Sequence, residues 1–122
     1  MKNEIILNLK QKAKELRKEI ITMIYNAQSG HPGGSLSCID MLVGLYYYKL
    51  KIDPKNPMWE DRDRFVLSKG HCSPAIYSVL SDKGFFPKSE LGGYRKIGRM
   101  LQGHPELSTP GIDFAGGALG QG

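Results

Sequence analysis

Arg64-Phe65-Val66-Leu67-Ser68-Lys69-Gly70-His71-Cys72-Ser73 is the most informative run in the chain. Its first five residues are short, apolar at the centre and bounded by charge and then by Lys69-Gly70, which predicts a strand over 64–68. A helix is predicted next, from Ser73 to Lys83, with Ala75, Ile76, Val79 and Leu80 facing inward and Gly84 closing it. Strand, glycine turn and helix in that order form the opening unit of an α/β layer fold. In such a fold ligands gather at the carboxyl ends of the strands, and anions favour the nearby helix N-terminus. The Gly70-His71 turn occupies that position.

Working outward, Asn3 to Gln28 reads as one long helix, with Ile5, Leu9, Ala13, Leu16, Ile20, Ile24 and Ala27 on one face and lysines and glutamates on the other. Gly30 and Pro32 end it. A second helix is predicted from about Ser35 to Leu50, with Leu36, Ile39, Leu42, Val43, Leu45 and Tyr46 inward. Ser37 with Asp40 has capping-box spacing, and Ser35 is the alternative cap. Asp53-Pro54-Lys55-Asn56-Pro57 is a connector, and a further short helix starts at Ser89-Glu90-Leu91. From Gly98 the pattern gives way to a glycine-rich loop without periodicity, the kind that carries function. One strand and three or four helices imply a parallel sheet flanked by helices that is incomplete in this chain. An end at Gly122, inside a glycine cluster, reads as a truncated product.

Composition narrows the classes. The 122 residues carry 17 Lys+Arg against 12 Asp+Glu, a net charge of +5. Six of the basic residues precede Ile20 and alternate with Glu4, Glu15 and Glu19, so they describe a solvated helix face rather than a nucleic-acid surface. No apolar run approaches the ~18–20 residues of a membrane span, and the N-terminus lacks a signal-peptide core. A cytoplasmic address follows as the default, with Cys38 and Cys72 as free thiols.

The chain has three histidines, and each sits beside glycine: Gly30-His31-Pro32-Gly33-Gly34, Gly70-His71-Cys72 and Gly103-His104-Pro105-Glu106. Glycine lets backbone and ligand approach closely, and a neutral imidazole offers one donor and one acceptor to a polyhydroxyl or phosphate partner. Lys69 adds charge to the His71 turn. Three histidines and Cys72 could in principle bind zinc, but paired-ligand spacing is missing. The tail Ala115-Gly116-Gly117-Ala118-Leu119-Gly120-Gln121-Gly122 could line a flat cofactor, though it matches neither a P-loop nor a dinucleotide fingerprint.

Four segments in order resemble the successive signatures of transketolase: Ser29–Ser35, Asp63–His71, Gly103–Glu106 and Leu119–Gly122. The resemblance runs from about residue 10 to the end. The wording from Cys72 to Tyr77 and from Lys83 to Phe86 is similar to the split enzymes, whose N- and C-terminal halves are separate chains. It implies that 1–122 is part of a thiamine diphosphate-binding (pyrophosphate-type) domain. It also implies transfer of a two-carbon ketol unit from a ketose phosphate to an aldose phosphate in the pentose phosphate pathway. By the same resemblance His31 contacts substrate hydroxyls and assists proton transfer at the acceptor aldehyde. His71 lies beside the cofactor diphosphate and the reacting carbon, and His104 bonds the donor's terminal hydroxyl. Gly117 and Leu119 line the cofactor. Ala118 departs from the usual Pro or Ser, and the ligands for Mg2+ or Ca2+ are expected beyond residue 122. The implied partners are a second copy of the N-terminal subunit with a C-terminal transketolase subunit, so this chain alone is expected to be inactive. Two alternatives are a non-catalytic interaction module and another thiamine-dependent ketol transferase of the formaldehyde or deoxyxylulose phosphate type.

Overall fold

A computed structural model describes residues 2–116 and 119. Three α-helices, α1 (Lys2–Ala27), α2 (Pro32–Gly44) and α3 (Ser73–Lys83), pack against one another. Their shared core includes Leu16, Ile20, Ile39, Leu42, Val43, Val79 and Leu80. On α1 the residues fully withdrawn from solvent are Ala13, Leu16, Ile20 and Met23, at spacings of three and four. The first turns of α1 extend past this core, so Ile5, assigned to the buried face from the sequence, is 38% exposed.

Helix α2 begins at Pro32, three residues earlier than the sequence pattern suggested, with His31 at the N-cap position and no side-chain cap. Proline at the first helical position has a suitable fixed φ, and its missing N–H would have found no helical partner there. Neither serine caps: Ser35 is drawn into the interior at 0% exposure, and the Ser37 hydroxyl donates to the Gly34 carbonyl at 2.9 Å. The helix widens into a π-helical turn, Leu45–Lys49, closed by the Leu50 N–H on the Leu45 carbonyl at 2.7 Å.

Helix α3 is buried along its length from Ser73 to Ser81, the position of a central rather than a surface helix. Gly84 ends it at φ +95°, a left-handed C-cap that favours glycine. A 3-10 turn, Gly70–Cys72, feeds α3, and a second, Lys88–Gly93, follows it.

The predicted strand over 64–68 does not form. Residues 64–67 run without regular structure, and among the described residues no strand appears, so the sheet expected from the sequence is not found there. A strand needs a neighbour's backbone to complete its ladder. Here the Phe65 N–H donates instead to the Asp113 carboxylate at 3.0 Å. Asp113 also pairs with Arg62 at 3.0 Å, both side chains being 11% exposed. This pair fastens the loop after residue 105 to the segment that leads into the Gly70 turn.

Candidate functional site

The three histidines arrive on separate segments. His31 is exposed at the start of α2, His71 is half-buried in the turn before α3, and His104 is half-buried in the late loop. The fold brings them together around Gly70. The His31 and His71 rings meet edge to face, with centroids 5.1 Å apart and planes at 81°. His104 closes the other side: a Cβ built on Gly70 would lie 2.9 Å from His104 Cδ2 and 3.3 Å from the Gly116 Cα. Gly116 lies equally close, since its own Cβ would fall 3.1 Å from the Gly70 Cα. The two glycine backbones form a floor packed so closely that a side chain on either would have to push its neighbours aside.

A second close approach lies beneath His71. A Cβ on Gly34 would sit 2.3 Å from Cys72 Sγ and 3.6 Å from His71 Nε2. The first turn of α2 thus rests directly on the Gly70–Cys72 turn. Lys69 spans the same junction, donating to the Gly34 carbonyl at 2.8 Å and to the Ser37 hydroxyl at 2.9 Å.

The loop carrying His104 has no regular structure and is suspended from α3. The Ser73 hydroxyl donates to the Gly103 carbonyl at 2.7 Å, and the Tyr77 hydroxyl to the Gln102 carbonyl at 2.7 Å. Leu101 anchors the loop in the core at 0% exposure, and the Gly116 N–H reaches back to the Pro105 carbonyl at 3.2 Å. Ser73, Tyr77 and Asp113 were not singled out from the sequence. Tyr77 lies in a helix buried on all sides, and its role is visible only with the loop against its hydroxyl.

The electrostatics favour polar recognition over thiol chemistry. Burial pushes the Cys72 thiol up from its ordinary 9.0, with the Lys69 charge opposing and Cys38 adding to it. The thiolate is the nucleophile, and the burial that disfavours it here fits a packing role for Cys72. Among the described residues no group of three or more His, Cys, Asp or Glu side chains could hold a metal ion. Imidazoles around Gly70 suit hydroxyls and anionic oxygens, while the Lys69 ammonium is engaged by Gly34 and Ser37. Of the two tail residues read as cofactor-lining, Leu119 is 60% exposed, and Gly117 lies outside the described residues.

Comparison with known proteins covers the same region. Residues 9–122 match the family model described as transketolase, thiamine diphosphate binding domain. One subunit of the apulose-4-phosphate transketolase of Phocaeicola vulgatus is 40% identical over 114 residues, 93% of this chain and 41% of that protein. A 6-deoxy-6-sulfo-D-fructose transketolase subunit from a Clostridium species is 45% identical over 117 residues, 95% of this chain and 42% of that protein. The crystal structure of a Campylobacter jejuni transketolase superposes with a TM-score of 0.86 at 43% identity, covering 93% of this chain and 18% of that one. The chain thus spans about two-fifths of the subunit-type relatives and under a fifth of the Campylobacter enzyme.

Proposed function

The chain belongs to the transketolase family through its thiamine diphosphate binding domain, and on that premise we propose that it supplies one side of a ketol-transfer site. The observation that carries this reading is the His31–His71 ring contact together with the placement of His104 against Gly70, the residue before His71. Donors without a neighbouring carboxylate cluster fit a diphosphate and a polyhydroxyl chain. When bound, thiamine diphosphate supplies the nucleophilic carbon and the electron sink; the protein supplies orientation and proton management.

His71, on the rigid turn before α3, faces the cofactor diphosphate and the reacting carbon. His104 holds the donor's terminal hydroxyl, and the two hydroxyl tethers from α3 fix its loop before substrate arrives. His31, the most exposed of the three at a helix start, contacts substrate hydroxyls and moves the proton at the acceptor aldehyde. Leu119 and Gly117 line the cofactor. Imidazoles placed in this way typically contribute about a hundredfold each to rate. Ligands for Mg2+ or Ca2+ come from beyond residue 122. A second N-terminal copy, together with a C-terminal transketolase subunit, completes the site. Alone, the chain is inactive.

The test combines the chain with a C-terminal transketolase subunit, thiamine diphosphate and Mg2+. The donor panel is a ketose 5-phosphate, apulose 4-phosphate and 6-deoxy-6-sulfo-D-fructose, the latter two being the sugars for which the relatives are named. Transfer is expected in the combination. His104→Ala is expected to lower kcat/KM for the donor by roughly a hundredfold, and an unchanged value would sink its assigned role. No cofactor binding and no transfer, with a stable complex still formed, would favour the interaction-module reading.

A further inference from the structure

We propose that Lys69 is a positioning residue whose ammonium holds the His31 segment against the His71 turn and thereby sets the edge-to-face histidine pair. The enzymatic part of this inference rests on the ketol-transfer reading; the structural part does not.

His31 and His71 belong to segments with no backbone hydrogen bond between them among the described residues. The N-terminus of α2 is also locally untied, because His31 makes no side-chain cap and Pro32 has no N–H to offer. Lys69 closes this gap. It sits two residues before His71 and reaches the Gly34 carbonyl at 2.8 Å and the Ser37 hydroxyl at 2.9 Å. Ser37 completes a triangle by donating to the same Gly34 carbonyl.

Gly34 and Lys69 act as complements. The missing side chain at Gly34 lets α2 descend onto Cys72, and the ammonium keeps it there. A charge-assisted hydrogen bond is roughly twice as strong as a neutral one; the bond to the Gly34 carbonyl is part-buried and the one to Ser37 is exposed. Packing of Ile39, Leu42 and Val43 against α1 and α3 fixes the body of α2, which leaves the approach and the orientation of its first turn to local ties. The Lys69 bonds to two atoms, one on the backbone and one on a side chain a turn further along the helix, restrain both. His31 projects from the residue just before that helix, so its ring inherits the restraint.

The chain's three histidines make the test direct. With 13C-labelled histidine, the NOE between the His31 and His71 ring protons reports the pair, and the His104 signals, tethered separately through Ser73 and Tyr77, serve as an internal control. Lys69→Met is expected to reduce the His31–His71 cross-peak by more than half while His104 is unmoved; Lys69→Arg is expected to restore it. A full-strength cross-peak in Lys69→Met overturns the proposal. Should Lys69→Met unfold the chain, so that His104 shifts too, Ser37→Ala decides: a weakened cross-peak supports the proposal and an unchanged one overturns it. In the combined enzyme Lys69→Met should lower kcat by on the order of tenfold to a hundredfold with a smaller change in donor KM. Loss of the NOE with unaltered kinetics would leave the positioning role intact and refute the use of that histidine pair in ketol transfer.

Discussion

Replacing Gly34 by alanine tests the contact on which the site is built. At an ordinary helical position glycine to alanine stabilises by up to about 1 kcal/mol, through backbone entropy and helix propensity. At position 34 the new methyl would lie 2.3 Å from Cys72 Sγ, about 1 Å inside an ordinary contact. Cys72 is 0% exposed, so its sulfur has no open space to enter, and overpacking of this kind costs about 1–3 kcal/mol. The clash prevails at its upper range, and Gly34→Ala is expected to destabilise by about 2 kcal/mol net, or roughly 8 °C in Tm for a chain of this size. The sign should reverse in a Cys72→Ala background. There the nearest remaining atom of residue 72 is its Cβ at 3.9 Å, with His71 Nε2 at 3.6 Å, both ordinary distances. Gly34→Ala should then be neutral or stabilising by up to about 1 kcal/mol. The assay is urea unfolding of the four members of the double-mutant cycle, followed by circular dichroism, with an expected coupling of about 2–3 kcal/mol. Equal effects of Gly34→Ala in the two backgrounds would refute the close approach of α2 to the Cys72 turn.

Two further outcomes follow from the buried charges. Asp113→Ala leaves the Arg62 guanidinium, 11% exposed, without its partner and removes the acceptor of the Phe65 N–H; a loss of about 3 kcal/mol is expected in the same unfolding assay, and a loss below about 1 kcal/mol, the scale of an exposed pair, would show that the pair does not fasten the loop. Burial acts to raise the Asp82 carboxyl, but the Tyr47 hydroxyl and the Lys88 and Lys12 ammoniums outweigh it and hold the group below its ordinary 3.8. A depressed carboxylate stabilises the fold above its unfolded value and ceases to do so as pH falls through the folded one. Acid titration of stability should therefore show a decline below about pH 4 that is shallower in Asp82→Asn; identical acid limbs would remove Asp82 from the account.

Helix α3 was legible in the sequence because every local signal agrees: Pro74 near the start, an apolar interior and Gly84 at the end. The central part of α1 was legible for the same reason, its apolar spacing surviving from Ala13 to Ile20, after which Met23 rather than the expected Ile24 is the fully buried residue. The start of α2 was not, because Ser35 and Ser37 look like caps while Pro32 begins the helix and the interior claims Ser35, whose hydroxyl is buried without a partner among the described residues. Arg64–Ser68 has the composition of a strand, but ladder bonds depend on a neighbour that local composition does not encode. The histidines stood out through their glycines. Their mutual placement did not, because it depends on long-range ties from Lys69, Ser73, Tyr77 and Asp113, each an ordinary polar residue until its partner segment is in place.

The suspension of the His104 loop from α3 has a consequence for how the protein can be altered. A loop held at Gln102 and Gly103 by two hydroxyls and again at Thr109, 1% exposed, carries an exposed turn between those anchors, with Leu107 at 67% exposure. New sequence spliced in beside Leu107 would trail into solvent and leave the anchored stretch in register. The same splice at Gln102 would shift every carbonyl past its hydroxyl and carry His104 away from the Gly70 floor. Permissible length variation should therefore be confined to the exposed turn at Glu106–Ser108, between the Gly103 anchor and the buried Thr109, inside what looks from its backbone like one continuous loop.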